Sequence, residues 1–132
     1  MRDPENIRAV EEQVQPDMMG FIFWEGSRRY VSEVPAYLPK CTKVGVFVTP
    51  TEEEVLQKAK DFRLDAIQLH GGESADFCYR IKEATRLPIF KAFSIFKIMN
   101  ILMFYFNFFK ITSFIVIIFH SYSCIICYIF IN

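Results

Sequence analysis

At 132 residues, with 15 basic and 15 acidic side chains and 52% hydrophobic residues, the chain has the length of at most one ordinary domain and no net charge. It carries no basic patch suited to nucleic acid and no acidic run that would act as a solvating tail. The averages hide a division: residues 1–95 hold all 15 acids, 13 of the bases, every Pro and Gly and 42 apolar residues, whereas residues 96–132 hold two lysines, no acid and 27 apolar residues.

Asp3-Pro4-Glu5 reads as a helix start. The Asp carboxylate can accept backbone N–H bonds, and Pro in the first helical position gives up only a donor that has no partner there. Ile7, Val10 and Val14 recur at helical spacing, and Pro16-Asp17 ends the stretch. Met18 to Phe23 is a continuous apolar run bounded by turn residues, which predicts a strand buried on both faces. Trp24 to Tyr30 is a polar loop, and Ser32 is expected to cap a short helical stretch toward Leu38. Val44 to Val48 is a second buried strand, β-branched and uncharged.

Thr51-Glu52-Glu53-Glu54 has the pattern of a capping box, with Val55, Leu56, Ala59 and Phe62 as the buried face of the helix that follows. Asp65 to His70 is a third strand, with Gly71-Gly72 as a turn. Glu73 to Thr85 is amphipathic through Phe77, Cys78, Ile81 and Ala84, and Leu87 to Phe93 begins a fourth strand. This alternation predicts an α/β protein with a parallel sheet and helical crossovers. Periodicity leaves open whether that sheet is doubly wound or closed into a barrel.

Four cysteines give no framework: Cys41 and Cys78 lie in the first 95 residues, Cys124 and Cys127 beyond. Cys124-Ile125-Ile126-Cys127 has CxxC spacing, but neither further ligands at zinc spacing nor a thioredoxin-like strand accompanies it. No metal site is expected. The first residues show no basic stretch leading into an apolar run, so the expected setting is the reducing cytoplasm.

Six blocks carry more than a pattern: Met1-Arg2-Asp3-Pro4-Glu5-Asn6, Gly20-Phe21-Ile22-Phe23, Ser27-Arg28-Arg29-Tyr30-Val31-Ser32, Lys43-Val44-Gly45-Val46-Phe47-Val48, Leu64-Asp65-Ala66-Ile67-Gln68-Leu69-His70-Gly71 and Lys91-Ala92-Phe93. In order and spacing they resemble the phosphoribosylanthranilate isomerases of tryptophan biosynthesis, over about residues 1–95. The resemblance implies a (β/α)8 barrel, here about half of one. It also implies a cofactor-free Amadori rearrangement of a small phosphoribosyl anthranilate. In that reaction a general acid opens the ribose ring and a general base removes the C2′ proton.

The family's base is a cysteine in a Lys-x-Cys-Gly segment ending the first strand, and its acid is an aspartate after the fifth. The likeness starts just past the former and stops before the latter, so the expectation for this chain is no catalytic residue and no turnover. Cys41 and Cys78 fall away from the rim and stand in for neither. Two substrate-binding residues carry over. Arg29 matches the family arginine for the anthranilate carboxylate, a task suited to a planar guanidinium. His70 sits at a strand end, where barrels place active-site residues, although a histidine there can equally serve to pin its loop.

In residues 96–132, Ile, Phe, Tyr, Asn and Lys make up 26 of the 37 residues, and Ala, Gly, Pro and Arg are missing. Those are the residues of A/T-rich and G/C-rich codons respectively. The expectation is an apolar tail unrelated to the barrel, read out of frame or never selected for folding. The rival reading makes Ile111–Asn132, uncharged and with Lys110 as a flank, a membrane anchor. Its β-branched and aromatic content suits strands better, and makes self-association or aggregation a further expectation. A half barrel is also expected to leave two open sheet edges.

Overall fold

The computed structural model describes residues 2–94 and, as backbone, Ile126–Ile131. Helix α1 (Pro4–Val14) leads into strand β1 (Met18–Ile22), followed by β2 (Thr42–Phe47), α2 (Glu52–Asp61), β3 (Ala66–Leu69), α3 (Ala75–Thr85), β4 (Ile89–Ser94) and β5 (Ile126–Ile131). The sheet order is β1-β2-β3-β4-β5, with β1 to β4 parallel.

The helix starts follow the local chemistry read from the sequence. Asp3 accepts the Glu5 amide at 3.1 Å ahead of Pro4. Thr51 and Glu54 form a reciprocal box, with Glu54 N–H donating to Thr51 Oγ1 (3.2 Å) and Thr51 N–H to Glu54 Oε2 (3.3 Å). Their buried faces are narrower than periodicity predicts. Ile7, Val55, Phe62, Cys78 and Ile81 are buried, but Val14 and Leu56 are exposed, as is Ala84. Each helix meets the sheet along one line, so apolar residues at the edges of the stripe stay in solvent.

Paired residues of neighbouring strands share a face. On the helix side, Met19, Phe21 and Phe23 of the β1 segment join Phe47, Ile67, Leu69 and Ile89 in the core. Phe21 packs tilted and Phe23 edge-on against Phe62, with ring centroids 5.6 and 4.7 Å apart, and the Phe23 ring lies 5.0 Å from Phe47. Gly45 makes room for this cluster. A Cβ there would collide with Leu64 and lie 2.8 Å from Phe47.

The opposite face corrects the expectation for β1. Met18 and Gly20 are exposed while Met19 and Phe21 are buried, so the strand alternates instead of burying both faces. Nothing among the described residues packs over that end of the face.

The predicted short helix after Ser32 is also absent. Pro35 and Pro39 remove two amide donors and bias Val34 and Leu38 toward extended backbone, so the crossover to β2 runs without a helix. Side chains pin it instead. Glu11 of α1 accepts from the Tyr37 hydroxyl and from the Lys40 amide (2.6 Å), and Lys58 of α2 donates to the Ser32 carbonyl (2.7 Å).

The sheet does not have two bare edges. The edge of β4 carries β5, antiparallel, from Ile89 opposite Ile131 to Ser94 opposite Ile126. At the other edge the peptide between Ile22 and Phe23 donates to Val46 of β2 and accepts from Val31, which places Val31 beyond β1. The remainder of the tail, residues 95–125 and 132, and with it most of the span read as a membrane anchor, lies outside the described residues. Among those described, no helix is long and apolar enough to cross a membrane.

Candidate functional site

Four parallel strands point their C-terminal ends the same way, so the segments after β1, β2, β3 and β4 gather on one rim. Arg29 belongs to the segment after β1. Its amide donates to Ser27 Oγ (3.1 Å), and the loop is closed by a bridge between Ile22 and Tyr30. The guanidinium is left exposed, free to meet an anion.

His70 follows β3. Its backbone amide donates to the Phe47 carbonyl at 2.8 Å, which extends the ladder by one residue, and the imidazole is exposed. One strand, β2, separates the two segments, a lateral distance of about 10 Å at the usual spacing between strands. The structure thus places the two sequence-predicted residues on a common rim without direct contact. A cavity of about 330 Å³ opens at the same end, between the start of α1 and the crossover, with Arg2, Asp3, Tyr30, Ser32 and Glu33 in its wall. Neither Arg29 nor His70 lines it.

Between these segments lies a polar cluster that the sequence reading did not single out. Glu73, expected as the first residue of α3, stays outside the helix, which is capped by Ser74 through a 3.2 Å bond from the Phe77 amide. Its carboxylate folds back under the rim. Oε1 accepts from the Thr49 amide at 2.7 Å, both oxygens lie 3.0 to 3.1 Å from the Gly71 amide, and Oε2 pairs with Lys91 Nζ at 2.8 Å.

Both side chains of the pair are buried, at 3% and 5% exposure. Lys91 also donates to the Gly71 carbonyl (2.7 Å) and the Ala92 carbonyl (3.2 Å). Burial pushes the Glu73 carboxyl up, but the Lys91 ammonium and the Thr49 amide hold it below its ordinary value. Lys91 was detectable in principle. A lysine inside the run Ile89-Phe90-Lys91-Ala92-Phe93 must find partners when that run is buried.

Cys41 immediately precedes β2, at the opposite end of the sheet, and Cys78 is buried inside α3. Burial raises both thiols above their ordinary value. Both thiols lie away from the rim. No group of His, Cys, Asp and Glu among the described residues could hold a metal ion.

The family model described as N-(5'-phosphoribosyl)anthranilate (PRA) isomerase matches residues 2–117. This chain belongs to that family. The match runs past Ile95, where the sequence reading sets the end of the likeness. A curated relative from Phocaeicola vulgatus, named N-(5'-phosphoribosyl)anthranilate isomerase, is 52% identical over 96 residues. These are 72% of this chain and 46% of the relative, so the chain spans a little under half of that protein's length.

The fold agrees. The phosphoribosyl anthranilate isomerase of Thermotoga maritima superposes with a TM-score of 0.57 at 31% identity, over 69% of this chain and 46% of that one. A second isomerase structure, in complex with reduced 1-(o-carboxyphenylamino)-1-deoxyribulose 5-phosphate, gives 0.58 at 28% identity over 79% of this chain and 60% of that one. The parallel strands β1 to β4 and their helices are therefore part of a (β/α)8 barrel, and the rim just described is its C-terminal face.

Proposed function

We propose that the chain contributes the anthranilate-binding part of a phosphoribosylanthranilate isomerase, which converts N-(5'-phosphoribosyl)anthranilate to 1-(2-carboxyphenylamino)-1-deoxyribulose 5-phosphate. The observation that carries this is an exposed Arg29 on the C-terminal rim of a sheet belonging to this family. Arg29 would pair its planar guanidinium with the anthranilate carboxylate through two parallel hydrogen bonds. His70, two strands away, would face the same ligand from the other side of the β2 segment.

The rearrangement also needs a group to protonate the ribose ring oxygen and another to take the C2′ proton. No cysteine among the described residues reaches the rim, and nothing in the site calls for a cofactor. We therefore assign binding to these residues and leave the proton transfers to groups beyond them. Two free thiols, Cys41 and Cys78, are consistent with a reducing, cytoplasmic setting. The exposed end of the β1 face favours self-association.

The test is binding of the reduced carboxyphenylamino-deoxyribulose phosphate to the full chain, by calorimetry. Arg29→Ala is expected to weaken binding roughly tenfold to a hundredfold, the worth of a charge-assisted pair. Equal affinity of wild type and variant would remove Arg29 from the site.

A further inference from the structure

Thr49 has φ 50°, in the left-handed region. A β-branched residue is disfavoured there, and such a conformation persists only where its surroundings hold it. The surroundings are specific. Thr49 N–H donates to Glu73 Oε1, and Gly71 packs so closely that a Cβ on it would lie 2.6 Å from that oxygen and 2.7 Å from the Thr49 nitrogen. Lys91 then ties the carboxylate to β4 and to the Gly71 carbonyl. One buried ion pair thereby joins the ends of β2, β3 and β4, immediately beneath Thr49 and next to His70.

We propose that the Glu73–Lys91 pair is a positioning clamp for the substrate rim, in which the Glu73 carboxylate fixes the Thr49 and Gly71 backbone and through them the placement of His70 toward the ligand. This rests on the substrate-binding reading above. The hydrogen-bond acceptor, not the charge, is the working part: the carboxylate receives two amides from two different rim segments, whereas Lys91 neutralises it and occupies its outer lone pairs. A buried pair contributes little to stability over an apolar replacement of the same volume, so stability alone does not account for it. Its geometry does.

Two double variants of the full chain separate the roles. Glu73→Gln with Lys91→Met removes both charges and keeps an amide oxygen for Thr49 and Gly71. Glu73→Met with Lys91→Met removes the charges and the acceptor together. Affinity for the reduced carboxyphenylamino-deoxyribulose phosphate is read beside the ¹H–¹⁵N signals of Thr49 and Gly71 and the melting temperature. The Gln/Met variant should keep the two amide signals downfield and bind within about threefold of wild type. The Met/Met variant should lose the downfield shifts and bind on the order of tenfold or more weakly, the scale of a small misplacement in a site.

Both variants binding like wild type would overturn the clamp, as would affinity that simply tracks melting temperature across them. If the wild-type chain binds no analogue although both amides sit downfield, the substrate-binding reading itself fails and the clamp's role toward substrate falls with it. Binding by wild type with loss only in Met/Met supports both.

Discussion

The two faces of the parallel sheet teach different things. On the helix side, Phe21, Phe47, Ile67, Leu69 and Ile89 are fully buried in one cluster with residues of the covering helices such as Ile7, Val55, Phe62 and Ile81. On the other face Val44, Ala66 and Ala92 are buried, but Met18 is 55% exposed, and Val46, Gln68 and Phe90 are only partly covered. A barrel strand has an outer face served by its own helices and an inner face served by strands from around the ring. The first is satisfied locally, within βα units. The second is satisfied by the whole barrel, and four parallel strands supply only part of it.

The contrast can be broken most directly by truncation on the covered face. Phe47→Ala is expected to cost about 3 to 5 kcal/mol, read by urea denaturation, because it opens a cavity against Phe23 in a packed cluster. A loss below 1 kcal/mol would mean that the helix-side core is not the one described. Acid gives the next largest effect. The folded Glu73 carboxyl lies below its unfolded value, so the pair's contribution is complete above the ordinary carboxylate range and is lost as pH falls through the folded value. Glu11 and Asp65 are lowered as well, by the hydrogen bond from Tyr37 and by the bonds to Lys43, the latter against an opposing effect of burial. The relevant quantity is therefore the difference between wild type and the Gln/Met double variant. Wild type should lose more melting temperature than the variant between pH ~6 and pH ~3.

Smaller effects sharpen the comparison at the rim and on the inner face. Thr49→Asn should stabilise by about 1 kcal/mol, since Asn enters the left-handed region readily and Thr does not, and thermal unfolding would show it. No gain would mean that the Thr49 conformation carries no strain. Met18→Thr, at the exposed end of the inner face, should change stability by less than about 0.5 kcal/mol. A loss of 2 kcal/mol or more would show that this face is covered in solution, and sedimentation would then tell whether a second copy covers it.

Local chemistry was legible where it involves neighbours in the chain. The Asp3 cap, the Thr51–Glu54 box and the extents of the four strands follow from turn residues, apolar runs and spacing, because each depends on neighbours within a few residues. Most misreadings come from contacts across the fold. Ser32 to Leu38 had a cap and length enough for a turn of helix, but Pro35 and the following Pro39 disfavour one locally, and the segment is held instead by bonds to Glu11 and Lys58. Glu73 looked like a first-turn acid and instead serves two strands. The β5 pairing joins Ile89–Ser94 to residues 32 to 42 positions away, and no periodicity within either segment announces it.

Arg29 and His70 were found through the family likeness, and their common rim follows from parallel order alone. Sequence by itself determined the βα alternation, the helix caps and the family, since these are written in short-range patterns and in six blocks of residues. Only the tertiary structure decided which face of each strand is buried, that Thr49 turns left-handed, and that Glu73 and Lys91 meet 18 residues apart. Those outcomes depend on which groups find partners when the strands assemble. A buried charge takes the partner that the assembled sheet brings to it.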